Sequence, residues 1–186
     1  MAVKTMAKNT GTGQYNAGWH ELTISKAIDG KWGDKRTIDL NFEGYPDNMR
    51  HRVFEASNKT TGEEFKIANL FRFACAGIIS VLQDPTGKNP VIQYDDEVTN
   101  LIDTRVNVLF VKEASKTDGK EYSEIFDLVP VVQETEHITW TADDVERLKK
   151  NVEKQYSNFT KVTTNGIGTT TIDTTTTTTS DAEIPF

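Results

Sequence analysis

The chain has 186 residues, 36 % of them hydrophobic, and a formal net charge of −7. That length suits one core domain with extra segments, and the low hydrophobic share predicts that part of the chain stays unfolded. The single cysteine, Cys75, excludes an internal disulfide, and with only His20, His51 and His137 beside it no zinc finger or ribbon can be spelled out. Cys75 lies in an apolar run, Phe71 to Leu82, which predicts a buried, inert thiol. A polar start without an apolar h-region predicts no signal peptide, and no apolar stretch is long enough for a bilayer, so the expectation is a soluble protein of the cytoplasm. The acidic total counts against a polyanion partner. Its distribution is uneven, however: residues 1–72 hold 11 basic and 9 acidic side chains, residues 84–140 hold 5 and 12. A phosphate backbone needs a local positive stripe, and a positive total is not required.

In chain order, residues 1–16 are polar and rich in small residues, and read as a flexible arm. Residues 19–28 alternate, with Leu22 and Ile24 facing one way and Glu21, Thr23 and Ser25 the other. Gly30 and Gly33 mark a turn. Residues 36–43 alternate again with Ile38, Leu40 and Phe42 inward and Thr37, Asp39 and Asn41 outward; Gly44–Asp47 breaks that strand, and residues 50–56 give a third. Thr60-Thr-Gly-Glu63 and Thr61-Gly-Glu-Glu64 fit the capping-box spacing and announce a long apolar helix over 62–83, ended by Asp84-Pro-Thr-Gly87. An irregular acidic stretch, 84–103, precedes two further strands. Residues 104–113 put Val106, Val108 and Phe110 on one face; residues 121–129 follow a Lys116-Thr-Asp-Gly119 turn. A last helix, about 142–156, is announced by Thr141-Ala-Asp-Asp144 and carries Val145, Leu148 and Val152. Residues 157–186, with a Thr-rich run, bury too little to offset their ordering entropy and read as a disordered tether.

Strand–strand–strand–helix–strand–strand is the order of an OB-fold, a five-stranded Greek-key barrel with an inter-strand helix plugging one end, here over residues 17–156 with a C-terminal helix and a disordered tail. Another α+β domain with the same element order is the alternative. In an OB-fold, oligonucleotides cross strands 2 and 3 and are held by the strand 1–2 and strand 4–5 loops. Both loops here combine an aromatic with lysines, and on an OB-fold they would share one barrel edge. The first places Trp32 among Lys31, Lys35 and Arg36; the second places Lys116 and Lys120 beside Tyr122. Strand 3 projects Arg50, Arg52 and Phe54 to one side, although Phe54 would serve equally as core with Val53 outside. Rings stack on bases of any sequence while Lys and Arg track phosphates. Trp19 reads as a rim packing residue, and His20 and His51 as ordinary strand residues.

The end of the chain, Asp181, Glu183, Ile184, Pro185 and Phe186, joins a ring and a free carboxylate on a flexible tether. That group suits a partner pocket with an apolar floor and a basic rim. It resembles the tip of bacterial single-stranded DNA-binding proteins, Asp-Asp-Asp-Ile-Pro-Phe, with Ala182 departing from it. The body more resembles the single-stranded DNA-binding proteins of tailed phages, through the element order and the Gly119-Lys-Glu-Tyr-Ser-Glu-Ile125 stretch. The resemblance implies coating of single-stranded DNA in replication, recombination and repair, recruitment of replication or recombination proteins through the tip, and a tail that occupies the DNA groove when no strand is bound. For a phage protein it implies the bacterial host cytoplasm. No cofactor, metal or membrane partner is implied, and a monomer or a dimer both remain open.

The main rival is an enzyme. Pro46-Asp47 with Glu64-Phe-Lys66 spells the pattern of metal-dependent nucleases, in which two carboxylates hold Mg²⁺ and a lysine assists the attacking water. Glu64, however, falls in a predicted helical first turn and Asp47 in a turn, so the reading is of a protein that is not an enzyme. Asp95-Asp-Glu97 with Asp103 would form a cation site or, more simply, a solvated acidic loop. A third reading is a scaffolding or interaction protein without a DNA surface.

Overall fold

The computed structural model describes residues 15–83, 90–114 and 119–165. It is mainly β: β1 Gly18–Trp32, β2 Lys35–Phe42, β3 Arg50–Phe54, β4 Ile78–Gln83, β5 Pro90–Tyr94, β6 Arg105–Ala114, β7 Glu121–Pro130, β8 Gln133–Glu134 and β9 Thr139–Trp140, with helices α1 Lys66–Ala74 and α2 Ala142–Asn165. Five strands form one antiparallel sheet in the order β3-β2-β1-β6-β7. The edge strands β3 and β7 approach each other, but no ladder joins them among the described residues.

β1 holds this sheet together because it changes partner along its length. Gly18 to Thr23 pair with β6, and Ile24 to Trp32 pair with β2. The change occurs at a bulge: Ile24 lies opposite Phe42, yet Lys26 already lies opposite Asn41, so Ser25 is an extra residue. A single inserted residue reverses the inside–outside alternation. Leu22 and Ile24 face the core before it; Ala27 faces Leu40 after it, and Ile28 and Trp32 turn outward. β7 carries a second such slip at Phe126, since Leu109 opposes Asp127 and Phe110 opposes Ile125. It leaves Ile125 inward and turns Tyr122 and Glu124 out.

The inner faces enclose Ile24, Ile38, Leu40, Phe42, Val53, Val106, Val108, Phe110, Ile125 and Leu128, with Ile67, Leu70, Phe71 and Ala74 of α1 completing the core. The outer face of β6 and β7 is covered by α2, whose Leu148, Val152 and Tyr156 pack on Leu109, Val111 and Val129. Thr141 and Asp144 form the anticipated cap of α2, the Asp144 amide donating to Thr141 Oγ1 at 3.2 Å and the Thr141 amide to Asp144 Oδ2 at 3.4 Å. The helix runs nine residues beyond its anticipated end at 156, so the first part of the expected tether is helical. Tyr15 and Asn16, expected in the flexible arm, are tied down: the Tyr15 amide donates to Ser123 Oγ and the Asn16 carbonyl contacts the His20 ring.

The helix expected over 62–83 is only α1. It stops because Cys75 takes a left-handed conformation, with its amide and that of Ala76 turned back to Arg72 and Phe71. Gly77 follows at φ 62°, where a Cβ would lie 2.3 Å from the Asp95 carbonyl oxygen. The chain then reverses into the β4–β5 hairpin, using the β-branched Ile78, Ile79 and Val81. The start of α1 also differs from the anticipated capping box. Glu64 itself accepts the amides of Ile67 at 2.7 Å and Ala68 at 2.9 Å, while Thr61 bonds locally to Glu63. The acidic segment after β5 contains a 3-10 turn, Val98–Leu101, that buries Leu101.

Gly77→Ala is expected to cost clearly more than Gly33→Ala, although both glycines have positive φ. Each loses about 1–2 kcal/mol to the left-handed backbone, and only Gly77 adds a collision with backbone. Urea denaturation of the two variants measures this; equal losses would show that the β4 turn yields freely.

Candidate nucleic-acid interface

β1 and β2 are joined by the two-residue turn Gly33-Asp34, with Trp32 opposite Lys35. Gly33 has φ 60° and Asp34 is not in the positive region, the pattern of a type II′ hairpin. Register sorts the neighbouring side chains into two faces. Lys26, Ile28, Gly30 and Trp32 of β1 lie opposite Asn41, Asp39, Thr37 and Lys35 of β2. Arg50, Arg52 and Phe54 of β3 lie opposite Asn41, Asp39 and Thr37. All of these share the outer face. Lys31 and Arg36 pair with each other on the opposite side.

On the outer face Trp32 is 66 % exposed and Phe54 41 % exposed, whereas Val53 is buried. The alternative of a core Phe54 is therefore excluded. Arg52 places its guanidinium 5.8 Å from the centre of the Trp32 ring. It also donates to Asp39 through Nε at 2.6 Å and Nη2 at 2.7 Å, and Arg50 Nη1 lies 3.4 Å from the same carboxylate. The hydrogen bonds from Arg52 hold the Asp39 carboxyl below the usual carboxylate range, against the opposing effect of burial. Thr37, Asp39 and Asn41 belong to this face, as anticipated, yet are buried beneath the longer side chains of β1 and β3. Ile28, 43 % exposed, and the exposed Lys26 also belong to it and were not among the anticipated site residues. The signal for them was available. Strict alternation from Leu22 and Ile24 would bury a lysine at 26, which is itself a sign of a bulge.

The remaining anticipated residues are not gathered here. Arg36 is bound by Asp29, Nη2 to Oδ2 at 2.8 Å, and by the Asp96 carboxylate, and these partners raise its pKa further. With Lys31, Asp29 and Gly30 it lines a shallow hollow of about 360 Å³. Tyr122 is exposed, but its strand register places it beside Glu113 and Glu124 on the face that α2 covers lower down. That neighbourhood is acidic: burial and then Glu113 push the Glu124 carboxyl up. Moreover, Phe110 lies opposite Gly18, so the β6–β7 tip extends past the beginning of β1 while Trp32 stands at its far end. The expected meeting of both loops on one edge does not occur along this strand. Lys120 is exposed near that tip, and Lys116 and the tip residues Asp181, Glu183, Ile184, Pro185 and Phe186 lie outside the described residues.

Two residues of the nuclease pattern, Glu64 and Lys66, are engaged elsewhere. Glu64 caps α1, and Lys66 Nζ lies 3.2 Å from Asp127. Of the acidic loop, Asp96 pairs with Arg36 and Asp95 accepts the Glu97 amide. Cys75 is partly buried, and burial pushes its thiol up, as expected for an unreactive group. No protein-family model matches the chain, and no curated protein matches it.

His51, on the inner side of β3, faces the seam with β7. Burial lowers its pKa, opposed by Asp127 and by the Ile125 backbone, with Lys66 adding to the lowering. A histidine held neutral in the fold stabilises it fully above the unfolded value of 6.5; that stability is lost as pH falls from there through the depressed folded value. Thermal melts of the protein and of His51→Gln between pH 7.5 and 5 test this. The variant is expected to show the flatter profile, and parallel profiles would contradict a neutral His51.

Proposed function

We propose that this chain is an OB-fold protein that binds single-stranded DNA, with little sequence preference, on the outer face of β1, β2 and β3. The order β3-β2-β1-β6-β7 supports the fold, as do a first strand shared between two partners and an edge pair, β3 and β7, that approach each other. One observation carries the binding reading. An exposed tryptophan stands at a hairpin tip, backed by Arg52 and next to the exposed Phe54, on the outer sheet face that α2 leaves open. Such rings stack on unpaired bases of any identity, and Lys26 and Lys35 supply backbone contacts. The protein does not act as an enzyme in this reading. The tip Asp181–Phe186 docks replication or recombination proteins, on the strength of its likeness to the bacterial tip. One observation favours the rival reading of an interaction protein: Ile79, Val81, Leu82 and Val91 are exposed on the β4–β5 hairpin.

Titration of labelled oligo(dT) against duplex at two salt concentrations separates the readings. Strand-selective, salt-sensitive binding supports the proposal; absence of binding at low salt rejects it, and Mg²⁺-dependent loss of the probe would favour a nuclease. Trp32→Ala is expected to weaken binding to all sequences alike by about 1–3 kcal/mol. Face membership makes a sharper demand: Lys35→Ala should weaken binding more than Lys31→Ala, and the reverse order would place the DNA on the other side of the hairpin. Tyr122→Ala should cost less than Trp32→Ala. Removing residues 181–186 should abolish partner recruitment without lowering DNA affinity, as a pull-down and a titration of the same variant would show.

A further inference from the structure

On that reading of the outer face, we propose that Asp39 is a specificity-determining residue, whose carboxylate occupies the place a phosphate would take between Arg50 and Arg52 and so makes the face select unpaired bases over duplex. The geometry is that of an internal anion. A planar guanidinium binds carboxylate and phosphate in the same two-pronged fashion, and Arg52 already makes both contacts with Asp39, with Arg50 Nη1 at 3.4 Å from it. Asp39 has a side chain only 12 % exposed, set between Ile28 and Arg52 in the sheet register. A DNA phosphate that drew the arginines away would leave this carboxylate buried and unpaired, which is costly. Arg52 is therefore held as a flat support behind Trp32 and is withdrawn from phosphate binding.

Selectivity follows by subtraction. Duplex DNA offers a flat binding face its phosphates, while its bases remain stacked and out of reach of Trp32 and Phe54. Asp39 cancels one of the two arginine charges and holds Arg52 in both contacts, so this face offers a duplex Lys26, Lys35 and the one remaining arginine charge, on a chain whose net charge is −7. A single strand gains the same contacts and adds stacking on the rings. Replacing Asp39 by an uncharged side chain should thus admit duplex without improving single-strand binding to the same degree.

The test is Asp39→Asn, which keeps the shape and one acceptor, assayed with oligo(dT) and with duplex over a salt series. For the wild-type protein, binding of oligo(dT) with little duplex binding is expected; failure to bind oligo(dT) would reject the DNA reading itself, and this inference with it. Given that binding, the variant should gain at least about tenfold in duplex affinity at low salt, its log–log salt slope steepening by about 0.9 for each arginine released. Its oligo(dT) affinity should change less. The double variant Asp39→Asn with Arg50→Gln should lose part of the duplex gain, a reversal that a purely structural role for Asp39 would not produce. Unchanged duplex affinity in a variant that melts cooperatively would overturn the proposal. If the variant does not fold, the wild-type slope on oligo(dT) decides: about −2.1 or shallower corresponds to the two lysines and at most the one uncancelled arginine charge, and a steeper slope, toward about −2.8, to both arginines reaching phosphates after all.

Discussion

The bulge at Ser25 governs more of this molecule than any other single feature. A strand of 15 residues cannot lie flat between two partners that diverge, and the extra residue gives β1 the bend that lets its first part join β6 and its second part join β2. The same residue reverses the alternation. Without it Ile28 and Trp32 would point into a core already filled by Leu40, Phe42 and Phe110. With it the small Ala27 faces that core and the large side chains are turned out. The joining of the five strands into one sheet and the composition of the candidate binding face thus follow from one insertion in register.

The two outer faces of the sheet then have different fates. β6 and β7 present Leu109, Val111 and Val129, an apolar strip that α2 must cover. β2 presents Thr37, Asp39 and Asn41, whose polar groups would be expensive to bury under an apolar helix, and this face instead carries a layer of longer side chains from β1 and β3. α2 settles on the first face by pattern alone. On the second, Trp32 and Phe54 stand uncovered beside arginines and lysines, whereas the exposed Tyr122 of the first stands beside Glu113 and Glu124, and that asymmetry, more than the number of aromatic residues, singles it out.

Much of the fold was legible in the amino-acid pattern because the core positions of β2 and β6 obey simple alternation: Ile38, Leu40, Phe42, Val106, Val108 and Phe110 are all inward as read. α2 was legible from its cap and spacing. The reading failed where a local backbone event outweighed composition. Apolar residues continue beyond Ala74 without a visible break, so the helix appeared to continue, yet the left-handed Cys75 and the crowded Gly77 end it. In the candidate site, strand period placed Arg50, Arg52 and Phe54 on one side of β3 but left open whether Phe54 was core, and Trp32 was read from its hairpin tip; in the structure all four lie on the outer face. Lys31, Arg36 and Tyr122 were grouped with them because they are near in sequence or similar in loop chemistry. Neither criterion registers which side of a bulged strand a residue takes.

Charge shows the same limit in another form. The first 72 residues have a slight basic excess, which suggested a positive stripe, but three of the arginines there are already engaged: Arg36 with Asp29 and Asp96, and Arg50 and Arg52 with Asp39. A count of basic residues therefore overstates the positive charge that this region can offer a polyanion. What remains on the outer face is a pair of lysines and one uncancelled arginine charge around exposed rings, a surface whose attraction depends on stacking as well as on field. On the proposed function, such a face suits strands whose bases are already free better than duplex DNA, because only the former add stacking. On this view the negative total opposes both backbones, and stacking on the exposed rings is what offsets it for single strands alone.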